Sequence, residues 1–182
     1  MLLLASTSPR RKELLKKLVP HFFVVPPNID ERILDNVLRP KDLAQEESKL
    51  KAYEVYRRFP DDEVLSCDTI VVVDGKKLGK PKTKGEAYQM LAFESGKKQI
   101  VLSGYTFLSK DREITRTVRT EVYFKTLSEK QIHEYVDLFS PLDKAGSYGI
   151  QDSYPLIEKI VGSYDNVMGL PTEDLAKHVF NR

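Results

Sequence analysis

Hydroxyl and guanidinium groups are concentrated in one segment near the start of the chain, residues 6–11 with the sequence STSPRR. The segment connects a predicted strand to a predicted helix that Ser8 caps. The unpaired N–H groups and positive dipole end of such a helix favour an anion, and arginine grips phosphate through two parallel hydrogen bonds. Ser8, Arg10 and Arg11 are therefore candidate phosphate ligands. The alternative is that Ser8 only caps the helix and both arginines belong to a solvated first turn.

A carboxylate, Asp68, stands inside the most strand-like apolar segment of the chain, residues 64–73. It is costly there unless it is paired or bound to a metal ion. Asp68 is therefore a candidate general base or ligand of Mg²⁺ or Mn²⁺, and Glu31 is a possible second carboxylate, because such phosphate sites use only one or two. A salt bridge to a neighbouring lysine, or a sheet edge facing water, explains the same residue without a function. Adjacent strand residues point to opposite faces, so Asp68 and Thr69 reach one ligand only if the strand ends, bulges or twists there.

Lysines are candidates for holding the charge of a phosphate chain. Five of them lie within residues 76–84, a density typical of a solvated turn. Lys80 differs from the others because the proline after it holds it in extended backbone, from which it could reach back toward Asp68. Lys51, on the second predicted helix, is an equally ambiguous candidate.

A glutamine, Gln151, ends a loop that contains two glycines, residues 142–151. Glycine lets the backbone turn or approach a ligand closely, and the glutamine amide offers both a donor and an acceptor. That pair matches the edge of a uracil-like base, which carries an N–H beside a C=O. A plain surface loop is the alternative.

Other kinds of catalytic site lack support in the sequence. The three histidines, His21, His133 and His178, are scattered without metal-ligand spacing. A single cysteine, Cys67, excludes an internal disulfide and any CxxC motif, and we expect it to be a buried small hydrophobe. Nine tyrosines and eight phenylalanines form no stacking stripe like that of an RNA-binding sheet.

Strand and helix patterns alternate along the chain and predict an α/β domain. The residues Asp74 and Gly75 predict a two-residue hairpin, which makes the sheet mixed rather than purely parallel. The predicted strands cover residues 2–5, 22–25, 64–73, 99–108, 113–124 and 155–161. The predicted helices begin near Ser8, Pro40, Thr83, Ser128 and Thr172, and those at Thr83 and Ser128 open with capping boxes. We expect the second helix to present Leu43, Leu50, Tyr53 and Tyr56 on one face.

Length and composition fit a single globular domain over residues 1–182, which can bury roughly 70% of the unfolded surface. The net charge of +2 argues against stable nucleic-acid binding of a polybasic kind. A membrane span needs about 20 apolar residues, which the sequence lacks, and its first apolar run is too short for a signal peptide. We therefore expect a cytoplasmic protein without a membrane partner.

The order of several short motifs resembles that of the Maf family of nucleoside triphosphate pyrophosphatases. The matches span nearly the whole chain, and together they are highly specific although each is short. They are LASTSPRR at 4–11 with ELL at 13–15, DTIV at 68–71, KP at 80–81, LDKAG at 142–146, YGIQ at 148–151, GSY at 162–164, Val167, and GLP at 169–171.

The resemblance implies a mixed, mostly antiparallel-containing twisted sheet flanked by helices, with two lobes around a central cleft as in inosine triphosphatase-like folds. It also implies a homodimer that depends on a divalent metal cation and converts a nucleoside triphosphate to the monophosphate and pyrophosphate. The alternatives are a regulatory nucleotide- or partner-binding protein linked to cell division and septum formation, a 7-methyl-GTP pyrophosphatase, and a phosphatase that removes the terminal phosphate.

The family's site residues fall on matching positions of this chain. The resemblance makes Asp68 the proton acceptor, gives phosphate binding to Ser8, Arg10, Arg11, Lys51 and Lys80, and adds Glu31 to Asp68 as a metal ligand. Base specificity falls on Arg10, Thr69 and Gln151, which resemble the branch of the family that prefers dTTP and UTP. The branch that acts on 7-methyl-GTP typically differs at the last two positions.

Overall fold

A computed structural model describes residues 1–30, 34 and 38–182. The chain divides into two units with their own internal contacts. The first unit comprises Met1–Thr69, Leu102–Val118 and Asp165–Arg182, and the second comprises Ile70–Val101 and Arg119–Tyr164.

The described residues form a seven-stranded mixed sheet, which confirms the predicted α/β class. Its strands are β1 (Leu2–Ala5), β2 (Phe23–Val24), β3 (Glu63–Val73), β4 (Lys76–Leu78), β5 (Lys98–Leu108), β6 (Glu113–Phe124) and β7 (Ile157–Val161). The order is β2-β1-β3-β5-β6-β7, with β4 paired to β3. β1 runs parallel to β2 and β3, whereas β4 is antiparallel to β3 and β7 is antiparallel to β6.

Three helices begin directly after the predicted caps Ser8, Thr83 and Ser128, and two more begin at Pro40 and Thr172, as predicted. The helices are α1 (Pro9–Lys16), α2 (Pro40–Arg58), α3 (Lys84–Glu94), α4 (Glu129–Phe139), α5 (Tyr164–Met168) and α6 (Thr172–His178), with short 3₁₀ turns at Ala145–Ser147 and Ile150–Asp152. Ser128 and Gln131 form the complete reciprocal capping box. Thr83 accepts from the Glu86 N–H, but the Glu86 carboxylate accepts from the N–H of Lys82 instead of Thr83. Within the described residues, no helix is both long and apolar enough to cross a membrane.

Both faces of β1 are buried in the first unit, as expected for a strand between parallel neighbours. Leu2 and Leu4 pack into a cluster with the apolar side of α1. Leu3 and Ala5 point the other way and pack against α2. The two helices therefore lie on opposite faces of this part of the sheet.

The buried face of α2 agrees with the expected one only in part: Leu43 is buried, and Tyr53 and Tyr56 pack partly buried against the core, whereas Leu50 is exposed. Most of the buried side chains are small or charged ones that were not expected on this face. The full buried set is Leu43, Ala44, Glu47, Ser48, Lys51, Ala52 and Val55. Small residues let α2 lie directly on β5: a Cβ added to Gly104 would lie 2.3 Å from the carbonyl oxygen of Ala44. The apolar pattern misleads here because the helix is held by close backbone packing and polar contacts rather than by a leucine stripe.

Local signals in the second unit are confirmed as well. Asp74 and Gly75 adopt φ values of 49° and 74°, and they join β3 to the antiparallel β4. The predicted strand at 113–124 is β6, in which Val122 and Phe124, two positions apart on one face, are buried. The short helix α5, most of which belongs to the first unit, was not expected from the sequence.

Candidate active site

The carboxyl end of β1, which lies beside the middle of β3, brings the first two motifs together. Ala5, the last residue of β1, pairs with Ser66 of β3. The loop from Ser6 to Ser8 therefore leaves the sheet beside the next residues of β3, which include Asp68 and Thr69. In open α/β sheets this edge is where ligands bind.

The loop after β1 is held by its own serines. The N–H of Ser8 donates to Ser6 Oγ at 3.1 Å, and Ser8 Oγ accepts from the N–H of Arg11 at 3.4 Å as the cap of α1. The first turn of α1 carries no acidic residue, and Arg10 lies in it half-buried. Cations at this positive helix end are unfavourable by a few tenths of a kcal/mol each, and a bound anion would offset that cost.

Asp68 forms an ion pair with the second helix. Lys51 Nζ lies 2.8 Å from Asp68 Oδ1, and the two side chains are 5% and 17% exposed. One alternative considered for Asp68, a salt bridge to a lysine, therefore exists, and its partner is the lysine that the resemblance assigns to phosphate binding. The arrangement places a carboxylate next to a cation in a poorly hydrated position, where electrostatic interactions are stronger than in water.

Thr69 lies on the other face of β3, together with Arg11. Arg11 Nε donates to the carbonyl oxygen of Gly169 at 2.8 Å, and Arg11 Nη2 donates to Thr69 Oγ1 at 3.2 Å. Thr69 Oγ1 also lies 2.9 Å from Ser103 Oγ. These bonds use two of the five guanidinium donors and fix the orientation of the group. The side chains of Asp68 and Thr69 thus project from opposite faces of β3, as the alternation along a strand requires.

Cys67, on the same face of β3 as Thr69, is fully buried, as expected, and its Sγ lies 3.4 Å from the Gly169 carbonyl oxygen. Burial is the main reason that the pKa of its thiol lies above the ordinary value. A thiolate is therefore disfavoured, and Cys67 does not have the character of a nucleophile.

The remaining predicted site residues lie elsewhere. Lys80 and Gln151 belong to the second unit, where Lys80 is exposed just after β4 and Gln151 is half-buried in the turn Ile150–Asp152. In that unit the N–H of Gly146 donates to the carbonyl oxygen of Gly79, at 3.1 Å, so the loops that carry the two residues are linked. Glu31 lies outside the described residues.

Two partners in the first unit were not predicted from the sequence. Gly169 was noted only as part of a motif, yet its carbonyl oxygen is the acceptor for Arg11. Its φ of 120° suits glycine alone, and an isolated glycine before Leu-Pro is the signal that could have found it. Ser103 offered no such signal, because a serine in a long strand is ordinary.

The potential of this site for metal binding rests on few ligands. Among the residues that the structure describes, no three His, Cys, Asp or Glu side chains gather in a way that could hold a metal ion. A magnesium site in a phosphate enzyme does not need such a cluster, because one or two carboxylates and the substrate's own oxygens suffice. The partly exposed carboxylate of Asp68 is a suitable hard oxygen ligand.

Comparisons with known proteins agree over nearly the full chain. A family model described as "Maf-like protein" matches residues 1–181. A dTTP/UTP pyrophosphatase of Thermococcus gammatolerans is 44% identical over 178 residues, covering 97% of this chain and 94% of the relative. One of Thermosipho africanus is 46% identical over 171 residues, covering 93% and 87%. A HAM1 protein from Coxiella burnetii has a similar fold, with a TM-score of 0.57, 14% identity and coverage of 100% and 98%.

Proposed function

The chain belongs to the Maf family, and we propose that it hydrolyses dTTP and UTP to the nucleoside monophosphate and pyrophosphate. The observation that carries this proposal is the identity above 40% to relatives named dTTP/UTP pyrophosphatase, over at least 93% of the chain. The geometry of the first unit supports the roles proposed for individual residues.

Phosphate binding is the role proposed for the start of α1. A triphosphate carries about four negative charges, and its hydrolysis depends mainly on positioning and charge neutralisation. Arg11 is held by Gly169 and Thr69, and Ser8 fixes the turn from which Arg10 and Arg11 extend. The helix end supplies N–H groups and a positive dipole to the same anion.

Asp68 is the proposed proton acceptor. As a water oxygen bonds to the α-phosphorus, its proton passes to the Asp68 carboxylate. The bond from the α-phosphorus to the bridging oxygen breaks, and pyrophosphate leaves with the electron pair. Lys51, 2.8 Å from Asp68, orients the carboxylate and supplies positive charge next to the phosphate chain.

A divalent cation, Mg²⁺ or Mn²⁺, belongs to the proposal, with Asp68 and Glu31 as its protein ligands. Carboxylate oxygens are the ligands that these ions prefer. When bound, the ion supplies positive charge to the phosphate oxygens and acts as a Lewis acid.

Three further roles rest on the resemblance to the family. Lys80 would hold the leaving pyrophosphate, Gln151 would hydrogen-bond the N–H and C=O edge of uracil or thymine, and Thr69 would contribute to base choice with Arg10. We further propose that the protein acts as a homodimer in the cytoplasm, where nucleoside triphosphates are present. Light scattering coupled to size-exclusion chromatography measures the dimer directly.

A substrate panel tests the proposed reaction. Pyrophosphate and orthophosphate release are measured with dTTP, UTP, CTP, GTP and 7-methyl-GTP, with Mg²⁺ or Mn²⁺ and with excess chelator. We expect pyrophosphate from dTTP and UTP that depends on the added metal ion. Preference for 7-methyl-GTP would assign the chain to the other branch, orthophosphate would indicate a terminal phosphatase, and no release would favour the regulatory binding role.

A further inference from the structure

The hydroxyl group of Tyr135 contacts the residues on either side of Ile150 and Gln151. Tyr135 is fully buried on α4. Its hydroxyl accepts from the N–H of Gly149 at 2.8 Å and donates to Asp152 Oδ2 at 2.7 Å. Gln151 therefore lies in a turn whose two ends are bound to one buried oxygen atom.

The direction of both hydrogen bonds is fixed by chemistry. A backbone N–H can only donate, so the Tyr135 oxygen accepts from Gly149, and its single proton is directed to the Asp152 carboxylate. Burial, followed by the bond to Asp152, raises the pKa of Tyr135, and the phenol stays neutral and able to donate. The turn itself is closed by a bond of 3.1 Å from the Asp152 N–H to the Gly149 carbonyl oxygen.

Side chains pack closely against this turn and against the Tyr135 ring. A Cβ added to Gly149 would lie 2.6 Å from Lys144 Cε and 2.8 Å from Asp152 Oδ2. The Tyr135 ring is held by Phe139 and Tyr154, whose ring centroids lie 5.1 Å and 5.5 Å away. The phenol is thus a rigid support under the turn, and α4 provides its anchor.

We propose that Tyr135 and Asp152 are positioning residues that set the direction of Gln151 and through it the discrimination between pyrimidine bases. The proposal rests on the proposed function, in which Gln151 binds the base. Tyr135 acts through the backbone of the turn and does not contact the base. Cytosine carries an amino group where uracil has a carbonyl, and it has no N–H at the ring nitrogen beside it. A glutamine amide that is held in one of its two flipped orientations therefore distinguishes the two bases.

The test is the substitution Tyr135→Phe, with kcat and KM measured separately for UTP and CTP. We expect kcat/KM for UTP to fall about 10-fold, mostly through KM, as follows from losing one or two hydrogen bonds. The value for CTP should change less than about 2-fold. The matched control is Tyr154→Phe, because the hydroxyl of Tyr154 binds Glu134 at 3.0 Å rather than the turn. This control should behave like the wild type.

Variants of the second partner separate positioning from a general loss of structure. Asp152→Asn keeps an oxygen that can accept from Tyr135, and it should retain most of the discrimination. Asp152→Ala should resemble Tyr135→Phe. In a Gln151→Ala background, Tyr135→Phe should have no further effect on the ratio of UTP to CTP hydrolysis or on either rate. A purely structural role of Tyr135 would instead lower the hydrolysis of both nucleotides further.

An unchanged UTP to CTP ratio in folded Tyr135→Phe would overturn the proposal. If the wild type hydrolyses neither UTP nor dTTP, the proposed function fails instead, and amide hydrogen exchange then decides the positioning role. Removing the hydroxyl should speed exchange at the Gly149 N–H about 10-fold, since one hydrogen bond is lost. Equal exchange rates in the two proteins would refute the role of Tyr135 in holding the turn.

Discussion

Lys51 on α2 and Asp68 on β3 form an ion pair of 2.8 Å whose members are 5% and 17% exposed. The pair joins the helix to the strand at the carboxyl end of β1. Removing either partner leaves a poorly hydrated charge without its counterion. The resulting loss of folding stability is larger than the net stabilisation that the intact pair provides.

Replacing Asp68 by asparagine should abolish most turnover. An amide cannot take the proton from water, so we expect pyrophosphate release to fall by at least ~10²-fold, the lower range for losing a general base. The control is Glu63→Gln, the same carboxyl-to-amide change at the exposed start of β3. Near-normal turnover by Asp68→Asn would refute the assignment.

The substitution Lys51→Met should destabilise the fold, because it leaves the Asp68 carboxylate without its ammonium partner. In an Asp68→Asn background the same substitution should be milder. We expect a coupling free energy of at least ~1 kcal/mol from denaturant unfolding of the four proteins in the cycle. Additive effects would mean that the ion pair contributes nothing to stability.

Gly169→Ala should weaken both stability and substrate binding. A side chain at φ 120° is strained, and we expect unfolding to become easier by about 1–3 kcal/mol. Movement of its carbonyl oxygen should release Arg11 and raise KM for dTTP. In the control Gly85→Ala, the new Cβ meets only Thr83 Oγ1 at 3.7 Å, so stability and KM should stay close to wild type. Equal KM values in all three proteins would remove Gly169 from the site.

Glu94 should make stability depend on pH. Burial raises its pKa well above the ordinary value, and the 2.7 Å hydrogen bond from Gln99 Nε2 offsets this only in part. The folded protein therefore binds this proton more tightly than the unfolded chain. Stability from this group is present below the unfolded pKa and is lost as pH rises toward the folded one, by up to ~1.4 kcal/mol per pH unit.

Glu94→Gln removes that titration. The variant should match the wild type near pH 4 and become the more stable protein at neutral pH, as measured by denaturant unfolding across the range. A constant difference between the two proteins at all pH values would show that Glu94 does not titrate differently in the folded state.

Short-range signals made much of the fold predictable. A cap such as Ser128 with Gln131, or a turn such as Asp74-Gly75, depends on residues three positions apart or fewer, and both were identified. Only part of the buried face of α2 was identified, because Lys51 is charged and was not expected on the buried side. Hydrophobic patterning cannot recognise a helix that buries an ion pair.

The charged side chains of the site were predictable from the sequence, but the groups that hold them in place were not. Asp68 stands out as a carboxylate inside an apolar strand, and Arg11 as a cation in the first turn of a helix. The oxygen that orients Arg11 belongs to the backbone of Gly169, which is 158 positions away in the chain. A carbonyl group is common to every residue, so its role appears only once the fold brings it to the guanidinium.

Gly104, on β5, has a further consequence for Lys51. Because Gly104 has no side chain, the carbonyl group of Ala44 on α2 packs directly against β5. Lys51 lies two turns further along the same helix. Sliding or rolling α2 would drive its backbone into β5 at one end and draw the ammonium away from Asp68 at the other. The position of the Lys51 ammonium therefore depends on the absence of a side chain at Gly104, which contacts α2 about 10 Å away along the helix axis.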